Sequence, residues 1–201
     1  KADFIRNIKV LKLIKEKNKI LVITKKNKIS YNYVICACHA NEASTLLKEL
    51  DPKISKLLNS FKYSKNYAYL HSDERLMPRN KKIWSSWNYY SKLESSSPPS
   101  VTYWMNLLQG IQSPEPLFVT LNREGDIDPS KIYGQWEYRH PQFTFATAEA
   151  QSRLLEIQGV DRIWYAGAYW GYGFHEDGAR SGVLVARNLG VPFAEEVPDR
   201  P

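Results

Sequence analysis

A short apolar run that breaks into glycines and resumes as a helical pattern constrains this chain more than any other stretch. Ile163-Trp164-Tyr165-Ala166 is followed by Gly167, Gly171, Gly173 and Gly178, and an amphipathic pattern runs on from about Ala179 to Leu189. A strand, a glycine-rich turn and a helix N-terminus can bring bare backbone N–H groups against an anionic or electron-rich ligand. Glycine allows the turn and the close approach. The start of the helix adds roughly +0.5 of an elementary charge from the aligned peptide dipoles. The spacing is G-x-x-x-G-x-G-x-x-x-x-G, not the G-x-G-x-x-G of a dinucleotide-binding turn. On the glycines alone, a strand-to-helix connection that binds nothing stays open.

The rest of the chain reads as strands at both ends and an aromatic middle. Residues 4–13, 19–24 and 28–30 alternate apolar and polar side chains between Lys/Asn turns, which predicts a β-meander. Residues 33–37 form a continuous apolar run, the mark of a strand buried on both faces. A helix is expected over 42–50 with Asn41 as its N-cap. Asp51-Pro52 then suits the cap and first position of a second helix to about Leu58. Strand-like, aromatic-rich segments follow at 63–71, 82–89, 101–108, 117–122 and 132–139. Residues 91–100 are expected to form an exposed loop, with turns at 114–116 and 125–129. A helix over 146–157 stops at Gly159, residues 162–166 are a second buried strand, and 192–201 a tail.

Composition narrows the class. The chain has 201 residues, 43% hydrophobic and 24% charged, as expected of a globular protein with one or two cored domains. No run of 18 uncharged apolar residues predicts a membrane-spanning helix, and no signal-peptide pattern opens the chain. It begins on Lys1 in mid-pattern, which predicts a fragment or processed piece. Residues 1–92 hold 20 Lys/Arg against 7 Asp/Glu, whereas 93–201 hold 8 against 14. A basic half can steer anionic partners such as acidic lipid or nucleic acid. Most of its excess alternates with Ile, Leu and Val over residues 9–28, however, as on the solvent face of half-buried strands. Cys36 and Cys38, followed by His39, lack the second ligand cluster of a structural zinc site. As same-side neighbours in a strand they read as small buried thiols rather than a disulfide. No metal is expected, and the thiols suit a reducing cytoplasm.

GAYWGYGFHEDGARSG, followed by an amphipathic helix ending in Leu-Gly, resembles the C-terminal flavin-contacting segment of the flavin-containing amine oxidase superfamily. The resemblance is to its bacterial branch of NAD/FAD-binding amine-oxidase-like proteins. It extends over VICACHANEASTLL (34–47), FKYSKNYAYLHSDERLMPRNKKIWSSWNYY (61–90), VTYWMNLLQGIQ (101–112), PLFVTLN (116–122) and HPQFTFATAEAQSRLLEIQG (140–159). It implies an α+β or α/β fold: part of a Rossmann-type, amine-oxidase-like FAD domain with an inserted substrate domain on a mixed or antiparallel sheet. Residues 1–41 would be the middle FAD segment, 42–142 the substrate domain and 143–201 the closing FAD segment. The β-α-β unit with G-x-G-x-x-G, which holds the ADP moiety in this family, has no counterpart here.

The resemblance also assigns residues. FAD is the implied cofactor, with N–H groups around Gly178 and Ala179 directed at the flavin ring, where reduction builds negative charge. Gly167 and Ala168 would pass the ribityl–pyrophosphate region; Ala168 stands where related enzymes place Asp or Glu. Tyr169, Gly173, Phe174 and Asp177 complete the cofactor set, and His39, after the first buried strand, joins it. Asp177 also reads as a helix N-cap. His175 is the candidate general base. Tyr89, Tyr103, Trp104, Asn106 and Tyr172 are the candidate substrate-pocket residues, in an aromatic surface suited to a long or flat molecule.

The expected function is that of an FAD-dependent oxidoreductase moving hydride from a substrate C–N or C–C bond to the flavin. The substrate would be a small molecule or lipid, with an acyl chain suggested by the branch. Two alternatives stay open: a non-catalytic folded module, or a basic surface that binds anionic lipid or nucleic acid. The expected location is cytoplasmic, with peripheral membrane contact as a variant and nucleic acid not expected as a partner.

Overall fold

The computed structural model describes residues 3–91, 100–123 and 125–191. Most of the 91–100 loop and the 192–201 tail therefore lie outside the described residues. The chain forms two compact units, residues 1–63 with 141–201, and residues 64–140. By packing, the boundaries fall at 63/64 and 140/141 rather than at 41/42 and 142/143. The two helices after residue 39 explain the first difference, because their apolar faces enter the core of the first unit.

The first unit opens with an antiparallel meander, β1 (Val10–Lys15), β2 (Ile20–Thr24) and β3 (Lys28–Tyr31). Leu13 opposes Val22 and Lys15 opposes Ile20, so the alternating pattern buries Leu13 and Ile20. The first strand starts later than expected because Asn7 sits at φ +58°, outside extended geometry. Next come β4 (Val34–Cys36), α1 (Ala40–Leu47) and α2 (Pro52–Leu58). Helix α1 begins earlier than expected: Glu42 N and Ala43 N both donate to His39 O, so His39, not Asn41, is the N-cap. For α2, the Asp51 side chain accepts from Lys53 N and Ile54 N, with Pro52 in the first position, as the sequence suggests.

The second unit is a five-stranded sheet. Its strands are β5 (Lys62–His71), β6 (Trp87–Tyr90), β7 (Ser100–Trp104), β8 (Phe118–Leu121) and β9 (Ile132–Gln142), in spatial order β6-β7-β8-β5-β9. Pairs β6–β7, β7–β8 and β5–β8 are antiparallel. Two expected strands are shorter than predicted. Lys81–Ile83 makes a 3-10 turn before β6, and β7 passes at Met105 into α3 (Met105–Gln109), which ends on left-handed Gly110.

Register sorts the two faces of this sheet. Tyr69, His71, Thr102, Trp104, Phe118 and Thr120 share one face. Leu76 and Ile127, from the connecting segments, pack with Tyr69. A buried polar chain crosses that face: Asp73 N donates to His71 Nδ1 (3.0 Å), His71 Nε2 meets Thr120 Oγ1 (2.7 Å), and Thr120 meets Thr102 (2.9 Å). Beside it the Arg75 guanidinium holds the Asp73 carboxyl well below the usual carboxylate range, and Asp73 also accepts from Asp128 N. Leu70, Trp87, Tyr89, Val101, Tyr103, Val119 and Leu121 form the other face. Trp87 and Tyr89 are exposed there, and none of these seven is charged.

The chain returns to the first unit as α4 (Phe145–Ser152), shorter than expected because it tightens into a 3-10 turn at Leu154–Ile157. Strand β10 (Ile163–Tyr165) then lies parallel to β4, with Tyr165 opposite Cys36. Helix α5 (His175–Asn188) covers the face of β10 that carries Trp164 and Ala166, through Val185 and Leu189. The opposite face, with Cys36, Ile163 and Tyr165, joins α1, α2 and α4 in the main core. Burial pushes the Cys36 thiol up to about 12, and both cysteines are free. Strand β4 departs from the sequence reading, since Ile35 is 48% exposed rather than buried on both faces. No described helix is long and apolar enough to cross a membrane.

Candidate functional site

The parallel strands β4 and β10 end side by side, and their chains turn into the same place. The first continues through Cys38 and His39 into α1; the second continues through Gly167 and Ala168 toward α5. A Cβ on Gly167 would lie 3.5 Å from the Cys38 carbonyl oxygen, which places the two turns in contact. In open α/β sheets, ligands bind outside the carboxyl ends of the strands. Residues 38 and 167, far apart in sequence, thus come together through the parallel pairing.

Side chains hold the glycine-rich turn rigid. Ser181 Oγ accepts from Gly167 N at 2.9 Å and donates to Gly178 O at 2.7 Å, tying the turn to the helix. Gln151 Nε2 donates to Tyr169 O (3.0 Å) and Gly171 O (2.7 Å), tying it to α4. Asp177 is buried, and its Oδ2 accepts from Tyr172 N (2.9 Å) and Phe174 N (3.0 Å). A Cβ on Gly171 would come within 2.3 Å of the Asp177 carboxylate, so glycine there is what lets the carboxylate in. Gly173 at φ +89° supplies the left-handed step before the helix.

Two sequence expectations change here. The helix starts at His175, not near Ala179, and Phe174 is its N-cap. Asp177 is therefore the third helical residue, reaching back to the cap backbone as the reciprocal half of a capping box, rather than the cap itself. Gly178 N donates to Phe174 O, so the N–H groups without an intrahelical acceptor belong to residues 175–177 instead of Gly178 and Ala179. Gly167 N is likewise already engaged by Ser181.

The candidate cofactor residues divide by exposure. Tyr169 is 2% exposed and packs edge-on against Phe61, and burial raises its hydroxyl well above the ordinary tyrosine range. His39 stacks on Tyr63 at 4.4 Å, and the Tyr63 hydroxyl accepts from Ala40 N, so its ring is oriented by the α1 entry. Tyr172, Phe174 and His175 stand exposed around the α5 N-terminus. Ala168 packs near Gly178, 3.7 Å from where its Cβ would be.

The candidate pocket residues of the second unit divide by face. Tyr89 and Tyr103 lie together on the open face, with Trp87 edge-on to Tyr103 at 5.0 Å. Trp104 lies on the packed face, edge-on to Trp84 at 5.3 Å. Asn106 braces its own loop, accepting from Leu117 N at 2.7 Å and donating to Glu115 O. Ser181, Gln151 and Gln158 carry no motif, and sequence reasoning passed over them; their partners are distant backbone atoms. Among the described residues no group of three or more His, Cys, Asp or Glu could hold a metal ion.

No family model matches the chain, and no curated protein sequence does. Solved structures do match its fold. A putative protoporphyrinogen oxidase from Exiguobacterium aligns with a TM-score of 0.63 at 12% identity, over 90% of this chain and 46% of that one. Cyclohexylamine oxidase from Brevibacterium oxydans gives 0.59 at 9% identity, over 90% and 48%. A fatty acid isomerase from P. acnes that produces CLA gives 0.57 at 11% identity, over 90% and 47%. The chain spans just under half the length of each of these proteins, and at such identities the likeness is one of fold.

Proposed function

We propose that the chain is the ring-binding part of an FAD-dependent oxidoreductase that takes hydride from a substrate C–N or C–C bond. The carrying observation is the joined pair of turns at the carboxyl ends of β4 and β10, against the N-terminus of a 14-residue helix. This arrangement sits in a fold shared with cyclohexylamine oxidase and a protoporphyrinogen oxidase-like protein. The residues present fit the electron-rich edge of a flavin ring. The first-turn N–H groups of α5 and its dipole would favour charge that builds there on reduction. Exposed Tyr172 and Phe174 would flank the ring, and His39 would border it from the β4 side. Gly167 and Ala168 would serve by shape rather than as donors, since Gly167 N is taken by Ser181. When bound, the flavin supplies the hydride acceptor, while the protein orients it and excludes water. His175, exposed at the helix start, would be the residue that moves a proton there.

The open face of the five-stranded sheet supports an apolar substrate portion. Trp87, Tyr89, Val101, Tyr103, Val119 and Leu121 offer an uncharged floor with aromatic walls, suited to a flat ring or an acyl chain. Protein isolated from its own source should release a compound absorbing near ~450 nm on acid unfolding, as oxidised flavins do. FAD fluorescence should be quenched on titration, with Phe174→Ala weakening binding by roughly tenfold, about the loss of one stacking contact. A colourless preparation that leaves FAD fluorescence unchanged would refute the reading.

A further inference from the structure

One face of the meander β1–β3 is covered at only one end. By register Val10, Leu13, Ile20, Val22, Ile29 and Tyr31 share that face. Leu13 and Ile20 are buried in the core, whereas Ile29 and Tyr31 are exposed. Asn7, at φ +58°, turns the preceding residues toward the open end. There Ile5, Ile8, Val10, Val22, Ile29 and Tyr31 line a shallow depression of about 150 Å³. Phe4 and Ile5 are 85% and 61% exposed, far more than apolar side chains with a partner in this unit would be.

Basic side chains border this apolar end. Arg6 and Lys9 lie on either side of Ile8, and Lys25, Lys26 and Lys28 lie around Asn27, another residue that lines the depression. All of these basic residues are exposed, and none forms an ion pair among the described residues. Lys12 and Lys15 differ, being paired with Glu49 and Asp161. The acidic residues described up to Tyr31 are Asp3 and Glu16, and Glu16 already accepts from Ser30 Oγ at 2.8 Å. The hairpin tip therefore carries positive charge that the chain itself leaves uncompensated.

Charge and shape together select the partner. The apolar core of a protein interface is depleted of lysine, and a second copy would bring like charges together. Single-stranded nucleic acid is held by stacking on aromatic rings, whereas the walls here are mostly Ile and Val. Aliphatic side chains rimmed by lysine fit the boundary between acyl chains and acidic headgroups. There lysine stems lie along the apolar layer while their ammonium groups reach the phosphates. We propose that this end of the meander docks the protein on an anionic lipid surface. Phe4 and Ile5 enter the acyl boundary, and Arg6, Lys9, Lys25, Lys26 and Lys28 meet the headgroups. The inference stands independently of any flavin.

Co-sedimentation with vesicles tests it, using phosphatidylcholine alone and an equal mixture of phosphatidylcholine and phosphatidylglycerol. The chain should bind the mixed vesicles at least roughly tenfold more tightly than the neutral ones, and added salt should weaken that binding. Lys25→Glu with Lys26→Glu should abolish it, whereas Lys53→Glu with Lys56→Glu, the same charge change on α2, should leave most of it. Phe4→Ala with Ile5→Ser should weaken binding by roughly tenfold or more through lost apolar burial. In a Phe4→Trp variant, mixed vesicles carrying brominated acyl chains should quench fluorescence that unbrominated vesicles do not, which reads insertion even if the charge variants fail to fold. The proposal is overturned if the two vesicle types bind alike, or if the α2 variant loses binding as fully as the hairpin variant. It is also overturned if brominated chains leave the Phe4→Trp signal unchanged, or if duplex DNA displaces the protein from the vesicles at equal phosphate concentration.

Discussion

Asp177 shows how a residue that invites a catalytic reading can be used up by structure. Its carboxylate joins the backbone of the turn to the first turn of α5, and Gly171 exists at that point because any side chain would occupy the same space. Asp177→Ala leaves two partly buried N–H groups without their acceptor, which should lower unfolding free energy by on the order of 2 kcal/mol in urea. Gly171→Ala should cost a similar amount by displacing the carboxylate. Because both changes break one contact, the double variant should be far less destabilised than the two losses added together. Additive losses would show that the contact is not shared. His175 and Glu176, on the same turn, keep the exposure that Asp177 lacks.

At the scale of elements, the ends of strands decide what this protein can do. β10 is only three residues long, yet Gln158 completes its outer edge and Gly159 closes the turn before it. Gln158→Ala should strip both partners from Tyr165 and cost about 2 kcal/mol, read as a lowered Tm. Tyr165 amide exchange should accelerate, while Cys36, paired on the inner side, changes less. Unchanged exchange at Tyr165 would mean that the amide does not act as a strand. The meander behaves in the opposite way. Its lysines are partly engaged, Lys12 with Glu49 and Lys15 with Asp161, which supports the reading of those charges as a solvent face.

The whole molecule consists of two units with separate cores, and acid should tell them apart. The second unit buries His71, whose pKa desolvation lowers from 6.5 to about 4. Unfolded chains therefore bind a proton at His71 between those values that the folded unit does not. The resulting stability is complete above about pH 6.5 and is lost as pH falls toward 4, on the order of 2 kcal/mol. Hydrogen exchange on acidification should loosen amides around Tyr69 and Thr120 before those around Tyr165. His71→Gln should flatten that dependence; an unaltered pH profile would assign the effect elsewhere. Protonation would cost the bond from Asp73 N, because the imidazolium has no acceptor.

Much of the local design was legible in the chain itself. Alternation marks the meander strands β1 to β3, Asp51-Pro52 marks the start of α2, and the apolar-then-glycine run marks the strand, turn and helix around residue 167, because period, caps and φ preferences are properties of neighbouring residues. The sequence places the start of α5 too late because aromatic residues among the glycines hide the capping role of Phe174. Other features depend on residues far apart in sequence. The approach of Cys38 to Gly167 needs a parallel pair, the covering of Trp104's face rather than Tyr103's needs the segment that carries Trp84, and the bracing by Ser181, Gln151 and Gln158 needs backbone atoms brought to them by folding. Hydrophobic period assigns a residue to a face, but only the packed chain decides what that face meets.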